Sequence, residues 1–92
     1  MSSASAVAPA RRLIRPVSPD QVRELLASID TVVDMQKLTD QTRFVDAGAD
    51  SLDFFNIIAA VQDAGQITIP DTDLERVGTV ENLVRYLNDK LS

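Results

Sequence analysis

The stretch Gly48-Ala49-Asp50-Ser51-Leu52-Asp53 decides the interpretation of this chain. It places one serine between two aspartates where an apolar periodic segment begins, so we predict that a helix starts there. The 92 residues include no histidine and no cysteine. A Ser-His pair, a catalytic cysteine and a His/Cys metal site are therefore excluded. Without a histidine to activate it, Ser51 is better interpreted as an acceptor that another enzyme modifies.

The surroundings of Ser51 would suit a negatively charged modification. A helix N-terminus presents free N–H groups and a partial positive charge, so a phosphodiester on this serine would be well placed. Asp50 is predicted to cap the helix. Gly48 gives the preceding turn the freedom to expose the hydroxyl.

Length and charge limit the remaining possibilities. Ninety-two residues allow one small domain, too small for a deep active-site cleft beside a packed core. The net charge is −5 and the sequence pI about 4.4, which argues against nucleic acid and anionic membranes as partners. No apolar run approaches the roughly 20 residues that span a bilayer. We expect partners with basic surfaces, no membrane insertion and a monomer.

The N-terminal residues 1–17 are predicted to form a flexible extension ahead of a domain over residues 18–92. The first ten residues are small, without period or core-forming bulk. Arginines accompany them, and no acidic residue precedes Asp20. An organellar transit peptide would share this composition, but a plain extension is favoured and we expect a cytoplasmic protein.

Four helices are predicted. The first starts at Ser18-Pro19-Asp20-Gln21, which has an N-cap serine, proline at the first helical position and a glutamine suited to a capping box. Its apolar stripe is formed by Val22, Leu25, Leu26 and Ile29. A long connection follows from about residue 30 to residue 46. It is expected to pack its own apolar residues against the domain: Val32, Val33, Met35, Leu38 and Phe44.

The remaining helices follow from the same signals. The second is predicted from about residue 50 to residue 64, and a short third helix from residue 71 to residue 77, after Ile69-Pro70 breaks the chain. The last opens at Gly78-Thr79, and its stripe comprises Val80, Leu83, Val84, Leu87 and Leu91. No strand alternation is visible, so the fold class is all-α: a small four-helix bundle with a long first loop.

The second helix carries more apolar residues than one buried face needs. One face is formed by Phe54, Ile57, Ile58 and Val61, and is sufficient to join the core. A second face contains Leu52, Phe55 and Ala59, next to a polar arc of Asp53, Asn56 and Asp63. Either both faces are buried, or the second is a docking surface rimmed by Asp50, Asp53 and Asp63. We favour the docking surface.

These residues together resemble the acyl carrier protein family. The segment from Phe44 to Asp53 is similar to the family signature, in which the serine of Asp-Ser-Leu bears a phosphopantetheine arm. Ile67-Thr68-Ile69-Pro70-Asp71 lies where the family has an Ile-Pro segment, and Thr79-Val80 opens the last helix as in the family. The similarity covers roughly residues 18 to 91.

The resemblance implies a function and a set of partners. Ser51 would carry phosphopantetheine, flanked by Asp50 and Leu52, and the arm would hold acyl groups as thioesters during fatty-acid, lipid or secondary-metabolite synthesis. The chain itself would not be an enzyme. A phosphopantetheinyl transferase would modify it, and acyl-transferring, acyl-ligating or condensing enzymes would bind it. The partner-facing residues would be Asp50, Leu52, Asp53, Phe55, Asn56, Ala59 and Asp63.

The chain also departs from the family pattern. Asn56, Gln62 and Ala64 replace usual glutamates, Gly65 replaces a bulky apolar residue, and Ala47 replaces a leucine. Phe54 brings an aromatic ring to a core position that is normally smaller. These changes favour a specialised carrier over a housekeeping fatty-acid carrier.

Other interpretations are a peptidyl or aryl carrier on a related fold, an unmodified acidic adaptor, and a calcium-binding protein. The acidic context of Ser51 disfavours a peptidyl or aryl carrier. Mass measurement after treatment with a phosphopantetheinyl transferase and coenzyme A distinguishes an unmodified adaptor from a carrier. Calcium binding fails on register, because an EF-hand loop from Asp46 requires glycine at Ser51 and glutamate at Ile57.

Overall fold

The computed structural model describes residues 12–91, which form three α-helices and two 3₁₀ helices. In chain order these are α1 (Pro19–Ser28), the first 3₁₀ helix (Phe44–Ala47), α2 (Ser51–Gly65), the second 3₁₀ helix (Asp71–Val77) and α3 (Val80–Lys90). Over these residues the only β-type pairing is an isolated bridge between Arg43 and Thr79. The all-α bundle is confirmed, and the first 3₁₀ helix is an addition that the sequence did not predict.

α1 begins at the predicted cap. The Ser18 hydroxyl accepts a hydrogen bond from the Gln21 amide at 3.3 Å, and Pro19 occupies the first helical position. The Gln21 side chain does not close the capping box. Its Nε2 donates to the Ile14 carbonyl at 3.1 Å, and its Oε1 accepts from the Ile14 amide at 2.9 Å. Gln21 therefore holds the preceding segment on α1 instead of completing the cap.

Part of the predicted flexible extension, residues 1–17, is packed. Leu13 and Val17 are buried, and the Leu13 amide donates to the Ala64 carbonyl at 3.1 Å. That carbonyl lies in the last turn of α2, where carbonyls have no partner within the helix. The domain therefore begins earlier than predicted, and the prediction for the part before residue 12 lies outside the described residues.

The core lies between the three α-helices. Its largest fully buried side chains come from every element and include Leu26, Phe44, Ile57, Leu83 and Leu87. No helix among residues 12–91 has both the length and the apolar character needed to cross a membrane.

The long first loop packs partly as predicted. Val33, Leu38 and Phe44 are buried and Met35 is half-buried, but Val32 is 67% exposed. The prediction of burial was wrong for Val32, because its neighbour Val33 takes the buried position and Val32 is left facing solvent.

α3 starts at the predicted boundary. The Thr79 hydroxyl accepts from the Asn82 amide at 3.0 Å, and Val80, Leu83 and Leu87 are buried. Tyr86 is also buried, which the apolar stripe did not predict. Its hydroxyl donates to Asp73 Oδ2 at 2.6 Å and so ties α3 to the second 3₁₀ helix.

Candidate functional site

Ser51 is the first residue of α2, and its side chain is exposed. Asp50 caps the helix as predicted, since its Oδ1 accepts from the Asp53 amide at 2.8 Å. The amides of Ser51 and Leu52 precede that bond and, as the first N–H groups of the helix, have no earlier helical carbonyl to donate to. Among residues 12–91 the Ser51 hydroxyl has no hydrogen-bond partner. The hydroxyl is therefore accessible from solvent.

A tight turn at Gly48 precedes Ser51. Gly48 has φ 116°, in the left-handed region, and its amide donates to carbonyls of the first 3₁₀ helix. A Cβ at this position would lie 3.3 Å from the Val32 carbonyl oxygen. Ala49 is buried and its amide donates to the Phe44 carbonyl at 3.1 Å. The predicted conformational freedom of Gly48 is confirmed, because its backbone angle favours glycine and a Cβ would crowd the Val32 carbonyl.

Asp53 is not an exposed docking charge, and the expectation that it rims the partner face was wrong. Its side chain is only 6% exposed. Oδ2 accepts from the Thr31 hydroxyl at 2.6 Å, and Oδ1 lies 3.3 Å from the Val32 amide, which donates to it. The helical position explains the burial, because Ile57 lies one turn later on the same side and is fully buried. The first loop covers this side of α2.

The other predicted face of α2 is exposed. Leu52 is 71% exposed and Phe55 51%, and Ala59 is also exposed. The opposite face, with Ile57, Ile58 and Val61, is buried. The two faces are therefore as predicted, and the alternative in which both are buried is wrong.

Phe54 lies at the border of the two faces. It is half-buried, with its ring centroid 6.3 Å from that of Phe44 and 6.2 Å from that of Phe55. It also forms one wall of an open cleft of about 440 Å³. The cleft is lined by Arg43, Phe44, Val45, Phe54, Glu75 and Gly78. The prediction that Phe54 belongs to the packed core is thus only partly right.

The polar residues near the exposed face fall into two groups. Asp50, Asn56 and Asp63 are exposed, as a partner face would require. Gln62 is half-buried, and its Oε1 accepts from the Ile69 amide at 2.7 Å. Gln62 therefore does not belong to the exposed face, because its side chain binds the loop that follows α2.

Two exposed apolar residues near Ser51 were not predicted. Val45 is 48% exposed and Val32 67%. Neither belongs to an amphipathic helix, so no periodic signal marks them. Within the described part of the chain, no group of three or more Asp or Glu side chains is placed to hold a metal ion.

Residues 20–87 match the family model described as the phosphopantetheine attachment site. The chain belongs to this carrier protein family. The resemblance seen in the sequence is thereby confirmed at the level of the family, and the cofactor of the family is phosphopantetheine, attached covalently to a serine.

The matched segment of this carrier contains two serines, Ser28 and Ser51. The Ser28 hydroxyl donates to the Leu25 carbonyl at 2.7 Å, at the end of α1. Ser51 differs on both counts, since its hydroxyl has no partner among the described residues and it starts a helix of 15 residues. The helix start fits a phosphodiester, whose charge the first amides and the helix dipole favour.

Proposed function

We propose that this carrier bears phosphopantetheine on Ser51 and delivers acyl groups, held as thioesters, to partner enzymes. The observation that carries the assignment is the exposed, unpartnered Ser51 hydroxyl at the start of α2, inside the matched segment. When bound, the arm supplies a thiol, the reactive group that this cysteine-free chain lacks.

The attachment needs a donor and an enzyme. In the reaction with coenzyme A, Ser51 Oγ forms a bond to the phosphorus that bears pantetheine, and the pyrophosphate P–O bond to the nucleotide breaks. The nucleoside bisphosphate leaves with the bond's electron pair, and the hydroxyl proton passes to a base on the transferase. No residue of the carrier is required to act as a base, in keeping with the absence of histidine.

The exposed face of α2 is proposed as the docking surface for the transferase and for acyl-handling enzymes. Leu52, Phe55 and Ala59 supply apolar contact area next to Ser51. Asp50 and Asp63 attract basic partner surfaces, and the net charge of −5 extends that attraction beyond contact distance. Asn56 is the neutral member of this face.

We further propose that the carrier serves a specialised pathway. The support is the exposed Asn56, where the related housekeeping carriers have glutamate, together with the aromatic Phe54 beside the cleft. Exchanging one surface charge changes affinity only modestly, because a surface ion pair contributes about 0.2–1 kcal/mol. Several such changes would be needed to redirect partner choice.

The experiment that tests the carrier function is intact-mass measurement of the full chain after incubation with a phosphopantetheinyl transferase and coenzyme A. A gain of one phosphopantetheine group is expected, followed by a further gain when an acyl-transferring enzyme loads the thiol. A chain that stays unmodified with several transferases would contradict the proposal and favour an unmodified adaptor. Loading with an amino acid instead of an acyl group would identify a peptidyl carrier.

A further inference from the structure

The first loop is fastened to the start of α2 by a buried carboxylate. Asp53 Oδ2 accepts from the Thr31 hydroxyl at 2.6 Å, and its Oδ1 accepts from the Val32 amide at 3.3 Å. The Thr31 hydroxyl in turn accepts from the Val33 amide at 3.2 Å. Three consecutive loop residues are therefore organised around one side chain in the first turn of α2.

A second set of contacts holds the same segment from the other side. The Asp34 amide donates to the Ala47 carbonyl at 3.0 Å. The Val32 carbonyl oxygen would lie 3.3 Å from a Cβ at Gly48. The Val32 backbone is thus placed between Gly48, three residues before Ser51, and Asp53, two residues after it.

These contacts hold an apolar side chain in solvent. Val32 is 67% exposed, whereas Val33 beside it is buried. A buried carboxylate is costly unless hydrogen bonds compensate it, and here both compensating bonds go to Thr31 and Val32.

We propose that Asp53 and Thr31 are positioning residues that hold Val32 in the surface contacted by the phosphopantetheinyl transferase. The inference rests on the proposed modification of Ser51. An enzyme that reaches the Ser51 hydroxyl must cover both flanks of the turn, and the Val32 segment is in contact with both. The transferase therefore meets a composite surface, made of Leu52 and Phe55 from α2 and Val32 from the first loop, and presents an apolar contact to each.

The test measures the kinetics with which transferase and coenzyme A modify the full chain. Val32→Ala should lower kcat/KM by roughly threefold to tenfold, mainly through KM, because it removes apolar contact area and not a reacting group. Its matched control is Ile14→Ala. Ile14 is 64% exposed and follows the residue bonded to Ala64, about 20 Å along α2 from Ser51. The control should match the wild type.

Thr31→Val removes the hydroxyl with little change of shape and should raise KM in the same way. Thr31→Ser keeps the hydroxyl and should restore wild-type kinetics. If Thr31 acts by positioning Val32, the double variant Thr31→Val with Val32→Ala should be no worse than the more impaired single variant. A merely structural role would lower the melting temperature and leave KM unchanged in protein that is folded at the assay temperature.

The outcomes separate this inference from the function on which it rests. Wild-type kinetics for Val32→Ala, whose exposed side chain makes misfolding no explanation, would overturn the inference. Additive losses in the double variant would also overturn it, because Thr31 would then act by another route. A wild-type chain that gains no phosphopantetheine would instead overturn the proposed function.

Discussion

At the scale of single residues, the site depends on two residues whose roles few other residue types could fill. Asp50 caps α2 and Gly48 turns the chain at a positive φ, so that Ser51 emerges with its hydroxyl exposed. Asp53 was placed wrongly by the sequence pattern. Its position on the helix could be predicted from the sequence. The loop that buries it could not, because the residues that donate to Asp53 lie 21 and 22 residues earlier in the chain.

Gly48→Ala should destabilise the fold by about 1–3 kcal/mol, because alanine is strained at φ 116° and its Cβ would crowd the Val32 carbonyl. Gly78→Ala is the matched control. Gly78 has φ −83°, and a Cβ there would meet nothing within 4 Å. It should be neutral or stabilising by up to about 1 kcal/mol. Urea unfolding followed by circular dichroism measures both, and equal effects would contradict the account of the turn.

At the scale of the elements, α2 has one face for the core and one for partners. Ile57→Ala should cost about 2–5 kcal/mol of unfolding free energy, since Ile57 is fully buried. Leu52→Ala should cost less than about 0.5 kcal/mol, because its side chain is 71% exposed. The same urea titrations compare the two. Similar losses would show that Leu52 is a core residue and would remove the docking surface.

The segment before α1 is an element of the fold that the sequence did not reveal. Leu13 packs beside Gly65, where a Cβ would lie 3.9 Å from Leu13 Cδ1. That distance is an ordinary van der Waals contact, so Leu13 packs directly against the last turn of α2. The Leu13 amide also donates to the Ala64 carbonyl in α2. A neighbouring contact also fastens Val17, whose amide donates to Asn88 Oδ1 at 2.7 Å.

Leu13→Ala should therefore lower the free energy of unfolding by about 2–5 kcal/mol, as loss of a buried leucine does. Ile14→Ala should have little effect, because Ile14 is exposed. Thermal unfolding of the two variants measures the difference. If both melted like the wild type, the segment would be a flexible extension as first predicted.

The helix boundaries and the exposed serine at the start of α2 could be predicted because their signals are local. Ser18, Asp50 and Thr79 all bond the amide three residues on, a contact within one helical turn. The errors concern contacts between distant residues: Asp53 with Thr31, Leu13 with Gly65. No periodicity encodes such pairs, since they depend on how the finished elements pack.

At the scale of the whole molecule, the partly buried hydrogen bond between Tyr86 and Asp73 makes the free energy of unfolding depend on pH in the alkaline range. Burial, and then the hydrogen bond to Asp73, raise the pKa of Tyr86 to about 12 from the usual 10. The bond joins α3 to the second 3₁₀ helix, and the Arg76 and Lys90 side chains each lie 5.4 Å from the centre of the ring. In the unfolded chain the phenol loses its proton first.

The contribution of Tyr86 to the free energy of unfolding should therefore be constant below pH 10 and should fall as the pH rises from 10 to about 12. Tyr86→Phe should be about 1 kcal/mol less stable at pH 8, because it lacks the hydrogen bond. The difference in free energy of unfolding between the wild type and Tyr86→Phe should become smaller as the pH approaches 12. Urea unfolding at several pH values compares the two proteins, and parallel curves would contradict the burial of this phenol.

The most direct test of the central claim locates the phosphopantetheine group in the modified chain. After treatment with transferase and coenzyme A, peptide mass spectrometry should find the group on Ser51 alone. Ser51→Ala should keep the circular dichroism spectrum of the wild type and gain no mass, while Ser28→Ala should be modified in full. A Ser51→Ala protein that still gains phosphopantetheine, or a group found on Ser28, would contradict the assignment.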